Sequence, residues 1–371
     1  MVHIFTRRSN DLGYFTNDPA LELDGIRDGP AGWWLRGGGP TSESDVLGGV
    51  LGTTKRSQVV GYDLVFSAPR PTSILLAIDH EKSVEVVRAH RSAVQVTMMH
   101  LEDRALCVRD RTNGGDESIP AMWSNIVSFT HGLNRHGEPH LHDHVIVGAL
   151  AKGEQNVLDS RALFGHVKAA NALYLATLRL EIAKRTDLVA WRSFDGQEHI
   201  GGLDEGYRSL WGGRHDGRGE KLALSRGDTE RRWEVDRRRF EPEGVLRLPP
   251  REKVRDVHAF GAALEGRYSV ARRHLVEAWA NASRFGASVE EVEHSIDRLY
   301  PDLQYDRGMD ERFIGVDQAR TVARSRERES LSRDHSLELD RAQYGWSPSG
   351  RDLAINAANR WSSYDGDSLT H

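Results

Sequence analysis

The 371-residue sequence predicts an α+β protein: a two-layer sandwich whose central antiparallel sheet is covered by helices, followed by a mostly helical C-terminal extension. Three observations carry that expectation. Tyr62-Asp63-Leu64-Val65-Phe66 is a run of strand formers that Pro69 and Pro71 terminate, because proline cannot donate to a ladder. Ser124 to Phe129 and Leu141 to Leu150 are further strand-like runs, and the turn-rich segment Gly132 to Pro139 between them marks a long hairpin. Segments with apolar residues at helical spacing follow these strands, and such helices pack over a sheet.

Taken in order, residues 1–30 are polar with a few apolar anchors, and Gly32 to Pro40 form a glycine-rich loop carrying Trp33 and Trp34. A helix is expected from Thr72. A second spans Lys82 to Leu101, with Val84, Val87, Ala93, Val96 and Met99 near helical spacing. A third runs from Ser160 to about Lys184, where Ala162, Leu163, Val167, Ala170, Leu173, Leu175 and Leu178 supply the apolar stripe. Beyond Leu222 the chain is Arg-rich and helical, with a break at Pro249-Pro250. Arg231, Arg232, Arg237, Arg238 and Arg239 alternate with acids as a solvated helix face does. The expected organisation is a main domain over 1–222, an Arg-rich helical extension over 223–300 and a charged, weakly ordered tail over 301–371.

Composition removes several function classes. Hydrophobic residues make up 38% and charged residues 28%, a globular balance without the long apolar run of a membrane-spanning helix or the apolar middle of a secretory signal. A cytoplasmic protein is expected. The single cysteine, Cys107, excludes a disulfide framework and a cysteine-based zinc cluster within the chain. The net charge of −5 argues against bulk attraction to phosphate, so any nucleic-acid binding must come from a local groove.

Metal chemistry must therefore use histidine or carboxylate. His142 and His144 are separated by one residue in a strand, so both imidazoles leave the same face. His131 lies at the end of the partner strand, and folding at the intervening turn brings it opposite that pair. Three neutral imidazoles leave coordination positions open, as a catalytic site requires. His136 and His140, on the turn, read as surface or substrate-side groups. A ligating imidazole is usually oriented by a carboxylate, and Asp63 on the preceding strand is a provider.

Tyr62 through Ser73, together with His131 through His144 and the downstream Leu158-Asp159-Ser160-Arg161-Ala162-Leu163-Phe164, resembles conjugative relaxases of the MobF (TrwC/TraI) class, within the HUH endonuclease superfamily. The resemblance covers roughly residues 1–205. It implies an HUH relaxase-like fold and a nicking transesterase: one divalent ion (Mg, Mn or Zn) on His131, His142 and His144, Asp63 orienting a ligand or accepting a proton, and Tyr14 as nucleophile. Tyr14 is the only tyrosine before Tyr62. The implied product is a covalent 5′-phosphotyrosine with a free 3′-hydroxyl at a plasmid origin of transfer. The implied partners are single-stranded DNA with an adjacent hairpin and the type IV secretion coupling machinery, with the protein made in the bacterial cytoplasm and carried to the recipient on the strand. Trp33, Trp34, Arg36, Arg70 and Arg135 are candidate DNA contacts by their chemistry.

The chain also departs from the family pattern. It has one N-terminal tyrosine where relatives often have two pairs, Arg70 in place of lysine, and Asp143 where threonine is common. It lacks the phosphate loop of the helicase that follows the relaxase domain in larger relatives. Two other classes use the same residues: a metal-dependent phosphodiesterase acting through water, and a non-catalytic DNA-binding accessory protein.

Overall fold

The computed structural model describes residues 1–9, 59–110, 117–123, 126–151, 157–211, 226–239, 248–249, 261, 264–303 and 312–322. Its strands are β1 (Val2–Arg7), β2 (Gly61–Ser67), β3 (Cys107–Asp110), β4 (Glu117–Pro120), β5 (Ile126–Leu133), β6 (Pro139–Gly148), β7 (Ala190–Arg192), β8 (Glu198–Ile200), β9 (Ser269–Val270) and β10 (Ile314–Gly315). Its helices are α1 (Arg70–Ile78), α2 (His80–Arg104), α3 (Ser160–Gly165), α4 (Val167–Arg185), α5 (Gly206–Leu210), α6 (Arg226–Arg239), α7 (Arg272–Ala282) and α8 (Val289–Leu299). The principal sheet is four-stranded and antiparallel, in the order β1-β2-β6-β5. The other strands form two-stranded ribbons. The α+β fold is therefore as the sequence predicts, and among the described residues no helix is long and apolar enough to cross a membrane.

The sheet's inner face carries Leu64, Phe66, Val145 and Val147, which join Val87, Val94 and Met98 of α2 and Tyr174 and Leu178 of α4 in one core. Asp79 starts α2 by accepting from the Lys82 amide at 2.9 Å, satisfying a donor the helix leaves open.

Helix α4 is buried on nearly every side, from Ala169 through Arg179 with the single exception of half-buried Asn171. A helix apolar all round must be covered all round. Its second face, Ala169, Ala172, Leu173 and Ala176, meets Leu275, Val276 and Trp279 of α7 and Val292, Ile296 and Leu299 of α8 in a second core. Ion pairs tie these helices to α2. Glu293 of α8 lies 3.1 Å from His100 Nδ1 and accepts from Arg104, also at 3.1 Å, and from Arg272. Burial works against the Glu293 charge, but the close His100 imidazole and the two guanidinium groups outweigh it and hold the carboxyl well below the usual carboxylate range.

Several boundaries differ from the sequence expectation for identifiable reasons. β1 falls in a segment read as having no element: Val2 and Ile4 face inward but Phe5 faces out, which breaks the apolar alternation a strand would advertise. The hairpin ladder runs further than expected, leaving only Asn134–Glu138 as the loop, because the Asn134 side chain accepts from the amides of His136 and Glu138 and closes the turn. The single helix expected from Ser160 is two, α3 and α4. Buried His166 sits between them and its Nδ1 donates to the Ala162 carbonyl at 2.9 Å, taking an acceptor the helix ladder would use.

Burial pushes the His166 imidazole down to about 4, against an ordinary value of 6.5. Between those values the unfolded chain binds a proton that the folded chain refuses, so stability falls as pH drops from 6.5 towards 4. Urea midpoints measured at both ends of that window should show the loss, and His166→Gln should reduce it. Gly286, with φ +99°, places its missing Cβ 2.5 Å from the Leu180 amide nitrogen and 2.8 Å from the Ala176 carbonyl. Both obstacles are backbone, so Gly286→Ala should cost about 2 kcal/mol or more, read as a lowered denaturation midpoint.

Candidate metal centre on the outer sheet face

Strand β6 alternates strictly in its first half: Leu141, Asp143 and Val145 are buried, while His140, His142 and His144 are half-buried on the other side. Period-two geometry makes this division. On β5, His131 stands directly across from His142, and on β2, Val65 stands across from His144. The rings of His131, His142 and His144 consequently converge. Their centroids are 5.2, 5.5 and 5.3 Å apart pairwise, and one ligating atom from each lies within 4.8 Å of the others.

Two of the rings are fixed by their Nδ1 atoms. Nδ1 of His144 is 3.0 Å from both carboxylate oxygens of buried Asp63. Nδ1 of His142 is 2.9 Å from the His140 carbonyl. Both acceptors place the proton on Nδ1 and leave the Nε2 lone pair facing the cluster, the tautomer that a cation needs. Burial, reinforced by the neighbouring imidazoles of His140 and His131, holds His142 well below its ordinary pKa. Burial and Arg70 hold His140 down, to about 4. His142 and His140 are therefore neutral near pH 7.

Beneath this cluster, on the inner face, lies a polar network that the sequence reading did not find. Asp143, 1% exposed, accepts from His90 Nε2 at 3.1 Å and from Ser128 Oγ at 3.1 Å. His90 Nδ1 in turn accepts the Tyr174 hydroxyl at 2.8 Å. Burial opposes the Asp143 charge, but His90, Arg91 and Thr130 together hold the carboxyl below its usual range. Asp143 is thus a fully buried carboxylate held by hydrogen bonds from α2 and from β5.

The hairpin tip is also anchored. Arg70, at the start of α1, donates to the Pro139 carbonyl at 3.4 Å and pairs with Glu138 at 3.6 Å. Trp233 of α6 donates its indole N–H to the Gly137 carbonyl at 3.0 Å, which fastens the Arg-rich helix beside the turn. Arg231, Arg232, Arg238 and Arg239 face solvent there, with Asp228 and Glu234 as ion partners, as the sequence suggested for a solvated face. Arg135 is half-buried within the turn. The structure thus brings together His131, His142, His144 and Asp63, and places Arg70 at the hairpin tip. Tyr14, Trp33, Trp34 and Arg36 lie outside the described residues.

An antiparallel sheet backed by helices on one face and bearing three converging imidazoles on the other defines a histidine-centred site of the kind the sequence motifs anticipate. The chain belongs to the TrwC relaxase family, whose model matches residues 16–239. It is 34% identical over 104 residues to the multifunctional conjugation protein TraI of Escherichia coli, and equally to that of strain K12. Each match spans 27% of this chain and 6% of the relative. Among solved structures, the fold is similar to a metal-bound conjugative relaxase TrwC in complex with oriT DNA, at TM-score 0.52 and 19% identity over 64% of this chain and 98% of that one. A copper-bound TrwC complex gives TM-score 0.51 at 20% identity, again over 64% and 98%.

Removing one member of the inner network leaves the others buried without compensation. Asp143→Ala should therefore destabilise the fold by about 3–5 kcal/mol, seen as a lowered midpoint in chemical denaturation.

Proposed function

We propose that this chain nicks one DNA strand at an origin of transfer and rejoins it, with Tyr14 as nucleophile and a divalent cation (Mg, Mn or Zn) held by His131, His142 and His144. The observation that carries the reading is the convergence of those three imidazoles on one sheet face of a TrwC-family chain. The donor set suits such an ion: each ring offers one nitrogen, two rings are held by their other nitrogen, and Nε2 of buried His131 makes no hydrogen bond among the described residues.

When bound, the cation polarises the scissile phosphate and offsets the charge that develops on its oxygens. The chain's own residues supply the rest. The His140 carbonyl and Asp63 keep His142 and His144 aimed. Because both Asp63 oxygens face His144, Asp63 takes the orienting role rather than that of base for Tyr14. A phenol near pKa ~10 must lose its proton to attack. The tyrosine oxygen then bonds to phosphorus as the bond to the 3′ oxygen breaks, and the departing 3′ oxygen takes up a proton to balance the one the phenol lost to solvent, leaving 5′-phosphotyrosine and a 3′-hydroxyl. The reverse displacement rejoins the strand. That TrwC has been solved with oriT DNA, with and without metal, supports this reading. The proposed partners are the single strand with its hairpin and the coupling machinery of type IV secretion. The proposed setting is the bacterial cytoplasm, with transfer on the covalently attached strand.

Incubation with end-labelled single-stranded oligonucleotides of randomised sequence should give, with Mn²⁺ and not with chelator, a protein band shifted upward in a denaturing gel. Tyr14→Phe and His142→Ala should lose it. Cleaved DNA with no retained product would indicate hydrolysis through water, and bound but uncut DNA would indicate an accessory protein. Independently of cleavage, Asp63→Ala should weaken Mn²⁺ or Zn²⁺ binding about 10–100-fold by titration calorimetry. Unchanged affinity would remove Asp63 from the centre.

A further inference from the structure

The sheet face that bears the imidazoles continues past β2 to β1, where it ends in two exposed aromatic rings. Cross-strand register places His3, Val65, His144 and Phe129 in one row, and Phe5, Asp63 and Ile146 in the next. Residues directly opposite in antiparallel pairs share a face. His3 is therefore two strand spacings from His144, ~10 Å, and Phe5 stands beside the carboxylate that holds His144. Phe5 is 55% exposed although Val2 and Ile4, its neighbours in alternation, are buried. Its outward position is thus fixed by a ladder paired over the whole of β1, not by fraying. The His3 and Phe5 ring centroids are 6.2 Å apart with planes tilted by 31°.

We propose that Phe5 and His3 form a stacking platform for bases of the single strand next to the scissile phosphate. The proposal rests on the reading of the metal centre as the phosphate site. A polynucleotide whose phosphate sits at His131, His142 and His144 must continue across this face. Aromatic rings there meet bases, which stack on them whatever their sequence. A lone exposed phenylalanine is ordinary. What distinguishes Phe5 is its paired ring and its row beside the site. By contrast, exposed Phe194 is covered by the Arg284 guanidinium 3.8 Å from its centroid, and Phe164 abuts buried Tyr62 edge-on. The competing occupant of β1, which is an edge of the sheet among the described residues, is a strand from a second chain.

The test uses the full chain with oligo(dT) carrying 5-iodouracil. Photocrosslinking and peptide mapping should place the adduct on the peptide containing His3 and Phe5. Phe5→Ala should remove that crosslink and weaken oligo(dT) binding about 5- to 100-fold by fluorescence anisotropy, the loss expected for one stacked base, whereas Phe5→Trp should retain both. Equal binding by Phe5→Ala, crosslinks mapping away from β1, or no oligo(dT) binding by the wild-type chain would each overturn the platform. So would a dimer that Phe5→Ala disrupts while DNA binding persists, which would place a second chain on β1. Formation of the tyrosine adduct is followed separately with the randomised pool. Adduct without Phe5-dependent binding removes the platform and leaves the nicking reading, and the converse result removes the nicking reading alone.

Discussion

Strand β6 lies between β2 and β5 and cannot shift relative to either without exchanging its two faces. In its first half one face carries His140, His142 and His144 and the other carries Leu141, Asp143 and Val145. A slip of one residue would drive imidazoles into the core and expose apolar side chains and a carboxylate. The geometry of the histidine cluster is thus a by-product of the condition that folds the sheet. Convergence of the three rings needs no separate device beyond pairing with β5, which puts His131 opposite His142.

What the hydrophobic alternation leaves undone, hydrogen bonds complete. Asp63 and the His140 carbonyl set the tautomers of two rings from the outer side, while His90 and Ser128 hold Asp143 from the inner side. The second set is the more demanding. A fully buried carboxylate is tolerable only with partners, and the partners here come from two elements: α2 supplies His90 and Arg91 and β5 supplies Ser128 and Thr130, with Tyr174 of α4 behind His90. Satisfying that one charge therefore fixes how the helical layer sits against the sheet. Trp233 and Arg70 do the same work at the hairpin tip, where they hold α6 and α1 to backbone carbonyls.

The convergence of the three histidines was legible in the sequence because its parts are local. An H-x-H on a strand and a histidine across a short turn obey rules that need no tertiary information, and Asp63 follows from the next strand in a recognisable motif. The hairpin and three of the helical regions were legible for the same reason. The inner network was not, since His90 is 53 residues from Asp143 and 84 from Tyr174 and looks like any polar residue on a long helix. β1 escaped because Phe5 points outward. The split between α3 and α4 was hidden because His166 breaks the helix through its side chain, without glycine or proline as a signal. Tyr14, proposed as the nucleophile, and Trp33, Trp34 and Arg36, expected as DNA contacts, lie outside the described residues, so their part in the site stays with the motif resemblance.

Helix α4 is a wall shared by two rooms. One side of it closes the core under the sheet and the other closes the core of α7 and α8, with the Gly286 bend pressed against its backbone. Cutting the chain after the sheet and its first helices would not yield a smaller intact protein: Ala169, Ala172, Leu173 and Ala176 would be laid open to water, and Arg104 and His100 would lose their carboxylate. The half of the chain furthest from the imidazoles is thereby coupled to them, because the same helix supplies the Tyr174 hydroxyl that ends the chain of hydrogen bonds behind His142 and His144.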